Sequence, residues 1–169
     1  LIDDPDYFAA YVANHILGGG GFGSRLMEEL REKRGLTYGI YTGLATGLYG
    51  QRWLGGMQGS NASIGQALDL IRKEWEKMAK DGVSQQELRD AKTYLTGEYP
   101  LRFYGNGKIA GILAGMQLVG FPIDYVNTRN QKVEAVTAED VQRVAARLLN
   151  PDQLRFVLVG RPEGVETAK

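Results

Sequence analysis

The sequence contains no cysteine and a single histidine, His15. Without cysteine the chain can form no disulfide, bind no metal through thiolates and use no cysteine nucleophile. A catalytic zinc site takes three protein ligands and a structural site four, usually including histidines. Neither H-E-x-x-H nor H-x-x-E-H occurs. We therefore expect no metal site in this chain, and we interpret His15 as a partly buried helix histidine.

A net charge is absent as well, since 20 basic and 20 acidic residues cancel. Because nucleic-acid binding needs a basic excess or stripe, we expect no nucleic-acid partner. Arg31, Lys33 and Arg34 are interleaved with glutamates. This run is typical of a solvated helix face, with an anion site as the alternative. No apolar run reaches the roughly 18 residues of a membrane-spanning helix, so we expect no membrane association.

Length and composition suit one globular domain over residues 1–169, with 43% hydrophobic and 24% charged residues. The chain opens on Leu1-Ile2 with neither an initiator methionine nor a signal peptide. We therefore expect an excised domain or a processed product of a longer protein. Since a cysteine-free chain tolerates oxidising and reducing surroundings alike, the compartment stays open.

Hydrophobic spacing predicts an α+β domain, with helices on one face of a mixed or antiparallel sheet. Asp4 and Pro5 begin the first predicted helix, Ser24 caps the second, and Gly35 ends it. Two strands follow, over residues 36–48 and 52–59, with a turn at residues 48–50. Further helices are expected over residues 64–81, 84–99 and 105–119, then after Pro122 and after Thr137. Residues 154–159 read as a final, central strand.

The glycine cluster before the second predicted helix is the first candidate site. The phosphate loop G-x-x-x-x-G-K-[ST] is absent, and a dinucleotide fingerprint would follow a strand rather than a helix. The cluster is therefore either a flexible connection or a loop that contacts peptide, because missing side chains let a backbone come close. A serine triad built on Ser24 and His15 lacks the G-x-S-x-G turn.

Residues 17–40 read LGGGGFGSRLMEELREKRGLTYGI. This stretch resembles the segment LGGG–SRL–LREKxGLxY in the second domain of peptidases of the pitrilysin, insulinase and mitochondrial processing peptidase family. Glu87 to Lys92 resembles the family's ELxxAK helix opening. The resemblance covers nearly the whole chain in order, although the family domain normally begins with one more strand upstream.

The resemblance implies a domain that carries no zinc and faces a zinc-bearing domain across a closed chamber. There the family contributes an arginine and a tyrosine, which correspond to Arg31 and Tyr38 of this sequence. The tyrosine hydroxyl donates near the scissile carbonyl, and the arginine contacts substrate backbone. The loop implicated in capturing substrate corresponds to Gly18, Gly19, Gly20, Gly21, Phe22 and Gly23.

Two functions are consistent with this resemblance. One is a substrate-binding, catalysis-assisting domain of a zinc metalloendopeptidase; the alternative is a non-catalytic scaffold domain of the same family. Either way we expect a zinc-bearing domain or subunit as partner, and a dimer or hetero-oligomer. For the first, we also expect a peptide substrate. Family relatives suggest a periplasmic or cytoplasmic setting. Alone, the chain should bind no zinc and hydrolyse no peptide.

Overall fold

The computed structural model describes residues 4–47 and 50–165 and confirms the α+β class. Its α-helices are α1 (Tyr7–Asn14), α2 (Ile64–Asp81), α3 (Gln85–Glu98), α4 (Asn106–Leu118), α5 (Tyr125–Glu134) and α6 (Ala138–Leu148). Its strands are β1 (Thr37–Gly47) and β2 (Gly50–Gly59). Two π-helical segments, His15–Gly19 and Met27–Glu32, lie between α1 and β1. Within the described ranges, no helix is long and apolar enough to cross a membrane.

The two strands form an antiparallel hairpin, as predicted, in which Gly47 pairs with Gly50. The predicted turn at residues 48–50 lies partly outside the described residues. Near the other end, Thr37 pairs with Gly59 whereas Ile40 pairs with Met57. Three steps along β1 therefore match two along β2, so β1 carries one extra residue there. Such a bulge changes which face the neighbouring side chains point to.

Helices cover one face of the hairpin and form the core there. Ile40 and Thr42 of β1 are buried on that face, while Tyr38 and Tyr41 are exposed. The most deeply buried side chains are mainly aliphatic: Val12, Leu17, Leu26, Leu30, Met78, Val133, Val141, Val144 and Leu149. Burying an aliphatic side chain of this size contributes about 1.5–3 kcal/mol. The helices that pack on one face of the hairpin therefore hold it in place, and its other face stays open to solvent.

Most predicted helix ends are confirmed by their local geometry. Gly35 and Gly82 take the positive φ values of +61° and +69° that favour glycine after a helix. Ser84 forms the predicted capping box at the start of α3, with hydrogen bonds in both directions to Glu87. Thr137 caps α6 in the same way. These stops and starts depend only on neighbouring residues, so a local pattern suffices to find them.

Two predicted helix starts are wrong in detail. The Ser24 hydroxyl donates backward to the Gly21 carbonyl at 2.8 Å rather than accepting from the helix that follows. It closes the glycine turn instead of capping the helix. The first helix begins at Tyr7 rather than at Pro5, although the Asp4 carboxylate accepts from the Asp6 amide at 2.9 Å, as predicted for a capping residue.

The predicted strand at residues 154–159 is also wrong. The segment alternates between half-buried Leu154, Phe156 and Leu158 and exposed neighbours, as a strand does. However, among the described residues no backbone group pairs with the amides of residues 155–159. Alternation is a property of the segment alone, whereas a strand also needs a neighbour on its edge.

One half-buried ion pair joins Arg25, which follows the glycine loop of residues 18–23, to Glu87 of α3. Arg25 donates to both Glu87 carboxylate oxygens, at 2.6 and 2.9 Å, and to the Gly82 carbonyl at 3.0 Å. Burial by itself would raise the pKa of Glu87, but hydrogen bonds from Arg25 and Ser84 outweigh it and lower the pKa from 4.5 to about 2. The ionised form is therefore the one that the fold stabilises.

We expect Glu87→Gln to lower the free energy of unfolding by about 1–2 kcal/mol at neutral pH, after allowance for the partial exposure of the pair. Because the folded-state pKa is depressed, this stabilisation is present above pH 4.5 and is lost as the pH falls toward about 2. Urea unfolding of both proteins at pH 7 and pH 3 should show the gap narrowing in acid.

Glu98→Gln is the matched control on the same helix. Glu98 pairs with Arg102 four residues away in an exposed ion pair, which typically contributes less than about 0.5 kcal/mol. Equal losses in the two variants, or a Glu87→Gln loss that does not depend on pH, would contradict the role assigned to the Arg25–Glu87 pair.

Candidate functional site

Arg31 and Tyr38 lie side by side at the start of the hairpin. Arg31 belongs to the π-helical segment Met27–Glu32, and Gly35 then reverses the chain into β1. The Gly35 amide donates to the Arg31 carbonyl at 2.9 Å, which closes the turn tightly. As a result the Arg31 guanidinium carbon lies 5.5 Å from the centre of the Tyr38 ring. The structure thus brings together the two residues that the sequence analysis paired.

Tyr38 is 90% exposed. This differs from the half-buried packing position that is usual for a tyrosine on a strand. The bulge between Thr37 and Ile40 is the cause, because the extra residue turns Tyr38 toward the open face. The Thr37 hydroxyl fixes the bulge: it accepts from the Gly39 amide at 3.0 Å and lies 2.7 Å from the Gln58 carbonyl oxygen.

Phe22 is a third member of this cluster. Its ring lies 4.6 Å from the Arg31 guanidinium carbon, closer than the Tyr38 ring, and its side chain is 68% exposed. Phe22 was predicted as part of the glycine loop, but its contact with Arg31 was not predicted. No local pattern reveals it, because it depends on how the loop folds back over the helix end.

An open cleft of about 530 Å³ lies beside the cluster. Tyr38 and Phe22 line it together with apolar side chains of the helix and hairpin. Met27 and Met57 are among them, and methionines adapt readily to differently shaped apolar groups. The cleft therefore combines a hydroxyl donor and a neighbouring guanidinium with an adaptable apolar wall.

The six residues of the predicted loop divide into two groups. A Cβ on Gly18 would lie 2.6 Å from the Thr42 hydroxyl oxygen, and Cβ atoms on Gly19 and Gly20 would meet nearby backbone and side-chain atoms. These three glycines are needed for packing. By contrast, Cβ atoms on Gly21 and Gly23 would meet nothing within 4 Å. The part of the loop open to a ligand is therefore residues 21–23.

The charged residues around Arg31 pair with each other. Lys33 and Arg34 each donate to the Glu29 carboxylate at 2.6 Å. Hydrogen bonds from Lys33 and Arg34 lower the pKa of Glu29. Their positive charges are thus already engaged, which favours the solvated helix face over the anion site. Arg31 differs, since it pairs with Glu32 and also lies against two aromatic rings.

His15 packs away from this cleft. Its ring stacks on Tyr94 with 5.0 Å between ring centres. Burial lowers the pKa of His15, and nearby Glu98 offsets part of this effect. Within residues 4–47 and 50–165, no three His, Cys, Asp or Glu side chains are grouped so that they could hold a metal ion. The donor set present here therefore does not fit a zinc ion.

Comparison with protein-family models matches residues 1–95 to the peptidase M16 inactive domain. The chain belongs to this family. A peptidase M16 inactive domain from Pseudomonas fluorescens has the same fold, with a TM-score of 0.78 and 37% sequence identity over 90% of this chain and 36% of that one. The expected relation to non-zinc domains of zinc peptidases is thus confirmed.

Two curated relatives bear different descriptions. A protein of Streptomyces coelicolor, 31% identical over 147 residues, is called an uncharacterized zinc protease. A protein of Helicobacter pylori, 27% identical over 141 residues, is called a non-peptidase homolog. The matches cover 86% and 83% of this M16 domain but only 32% and 33% of those proteins. The domain therefore spans about a third of the length of these relatives.

We expect Gly18→Ala and Gly23→Ala to affect stability very differently. Alanine at position 18 must displace Thr42 and nearby Leu26 in a packed region, which typically costs about 1–3 kcal/mol. Alanine at position 23 meets open space and should change stability by less than about 0.5 kcal/mol. Chemical unfolding of the two variants gives the comparison. If both are tolerated equally, the assignment of Gly18 to packing is wrong.

Proposed function

We propose that this domain binds substrate and assists catalysis in a zinc metalloendopeptidase. In this proposal Arg31 and Tyr38 act on a peptide that is cleaved at a zinc site on another domain or subunit. The observation that carries the proposal is the exposure of Tyr38. A tyrosine at 90% exposure, supported by a bulge and lying next to Arg31, contributes little to packing and is free to donate to a ligand.

Tyr38 would supply its hydroxyl as a hydrogen-bond donor to the carbonyl oxygen of the scissile peptide bond. Negative charge develops on that oxygen in the transition state, and a donor already aimed at it stabilises the transition state more than the ground state. The side chain projects from a β-strand rather than from the loop. Its position is therefore fixed by the hairpin before substrate arrives.

Arg31 would bind the substrate backbone through guanidinium N–H groups. Such an interaction is present both before and during the reaction, so it contributes to substrate binding as well as to the rate. The open residues 21–23 would form a further contact, since the glycines there admit a close approach of peptide backbone. In this role the loop, the arginine and the tyrosine all contact one extended peptide.

The zinc in this proposal comes from a partner. The described residues do not provide its ligands, whereas relatives more than twice as long as this chain are called zinc proteases. The partner is then a zinc-bearing domain of the same polypeptide or a second subunit. A scaffold role is the second candidate, favoured by the relative called a non-peptidase homolog.

We expect Tyr38→Phe to lower kcat of the intact zinc-containing enzyme by roughly a hundred- to a thousandfold, with a much smaller rise in KM. The change removes one hydroxyl from an exposed ring, so the melting temperature should not change. Arg31→Ala should lower kcat and raise KM together. Steady-state kinetics on a quenched peptide, with thermal unfolding of each variant, measures both effects.

Tyr94→Phe is the control, because Tyr94 is also exposed, at 57%, but packs on His15 away from the cleft. It should keep full activity. A Tyr38→Phe enzyme with kcat within about threefold of wild type would instead favour the scaffold role.

We also propose that the upstream strand implied by the family resemblance joins the sheet in the intact protein. A cleft of about 340 Å³ separates β2 from residues 154–158. Its lining includes apolar residues of α2, among them Leu68 and Trp75. Two extended stretches thus face each other with backbone groups unpaired. An additional strand between them would pair with both.

The direction of the chain supports this arrangement. The Glu163 amide donates to the Asn61 carbonyl, just beyond the end of β2. Residues 154–159 therefore run in the same direction as β2, and an intervening strand would be antiparallel to both. Asp4 lines the same cleft as Arg52, near the start of β2, which is where such a strand would end. The buried indole N–H of nearby Trp53 has no partner among the described residues.

We expect the amides of residues 155–159 to exchange rapidly with solvent in this chain. In a longer protein that includes the preceding segment, the same amides should be protected by roughly a hundredfold or more, since they would then donate to a neighbouring strand. Hydrogen exchange followed by mass spectrometry compares the two proteins, with the hairpin amides as internal reference. Rapid exchange in both proteins would rule out the added strand.

A further inference from the structure

The contact between Phe22 and Arg31 has no explanation in the packing of the domain. Phe22 is 68% exposed and lies between two glycines on a loop whose open positions have no neighbours within 4 Å. A large apolar ring gains little from burial there. Its close neighbour is the Arg31 guanidinium, at 4.6 Å from the ring centre. The Phe22 ring therefore packs against the Arg31 guanidinium rather than against the hydrophobic core.

Two aromatic rings contact the Arg31 guanidinium, in addition to its ion pair with Glu32. Phe22 lies against the guanidinium at 4.6 Å and Tyr38 at 5.5 Å. An arginine side chain has many rotamers, and ordering it upon binding weakens the binding. A guanidinium already held between aromatic rings has lost that freedom in advance. Among the described residues the neighbouring Lys33 and Arg34 have no such aromatic contacts, and they pair with glutamates instead, Lys33 with Glu28 and Glu29 and Arg34 with Glu29.

We propose that Phe22 is a positioning residue, which orders Arg31 for binding substrate backbone. This inference rests on the proposed function, because it concerns how the same site binds peptide. The ring of Phe22 holds the guanidinium against Tyr38, so a peptide meets an arginine whose geometry is already set. Phe22 acts through Arg31, and the loop thereby contributes to binding even where the peptide does not touch it.

The first test measures the contact without requiring activity. In the chain labelled with ¹⁵N-arginine, ring currents from Phe22 should shift the Arg31 side-chain NMR signal. Phe22→Leu keeps an apolar side chain but removes the ring, so the signal should move toward that of a free arginine. Phe22→Tyr retains the ring and should preserve the shift.

Tyr104→Leu is the matched control. Tyr104 is an exposed aromatic residue, at 65%, whose ring lies 4.0 Å from the Lys108 ammonium outside the cleft. Its loss should leave the Arg31 signal unchanged. An Arg31 signal that does not respond to Phe22→Leu would overturn the proposed contact.

The second test uses the intact zinc-containing enzyme and a quenched peptide. Exposed cation–π contacts are modest, so Phe22→Leu should raise KM by about two- to fivefold while kcat stays within about twofold. The separate variant Phe22→Tyr keeps the ring and should have the KM of the wild type. A purely structural effect of the loop would not explain this difference between the two variants. Tyr104→Leu should leave both constants unchanged.

The two tests separate the possible failures. If Arg31→Ala weakens activity and Phe22→Leu shifts the Arg31 signal but not KM, the positioning role is overturned while the proposed function stands. If Arg31→Ala and Tyr38→Phe both leave activity intact, the proposed function fails and the positioning role with it. Loss of the NMR shift together with a raised KM, both restored by Phe22→Tyr, supports the inference.

Discussion

The ion pair between Arg25 and Glu87 is the interaction on which the geometry of the site depends. It ties the start of the segment that carries Arg31 to the junction between α2 and α3. That junction is itself fixed by the Ser84 capping box, which uses the same carboxylate. One glutamate therefore caps a helix and holds the Gly-rich segment in place. Because the pair is only partly exposed, solvent screens it less than a surface ion pair.

The packing of helices on a single side of the hairpin leaves its other face open. Helices pack on one side of β1, and Gly18 lets the π-helical segment approach Thr42 more closely than any other residue would allow. The bulge at Thr37 then turns Tyr38 away from the packed side. The domain thus presents an arginine and a tyrosine on a rigid element without using either in its core.

Two features of the domain, its small sheet and its lack of a metal-binding group among the described residues, are consistent with the proposal that a partner domain completes the enzyme. Its sheet has two strands among the described residues, and an apolar cleft separates β2 from an extended segment with unpaired amides. In the proposed function its site donates to a peptide, whereas the described residues contain no group of side chains that could hold a metal ion. Both observations agree with relatives that are more than twice as long as this chain. In the proposed enzyme, the chemistry depends on residues that the partner supplies.

The sequence by itself determined the hairpin and most of the helices with their ends, apart from the starts of the first two. The apolar spacing of α2, the capping boxes and the stops at Gly35 and Gly82 all depend on residues within a few positions of one another. The pairing of Arg31 with Tyr38 was predictable as well, but from a family resemblance rather than from local physics.

Tertiary structure alone decided the rest. The exposure of Tyr38 depends on the pairing register with β2, and the contact of Phe22 with Arg31 depends on the path of the loop. Arg129 is buried against Tyr11 and Tyr99, which are far apart in sequence. No local sequence pattern predicts that this arginine is buried. Residues 154–159 have the alternation of a strand, yet no other described segment pairs with their backbone. In each case the deciding neighbour is distant along the chain, so no local periodicity encodes it.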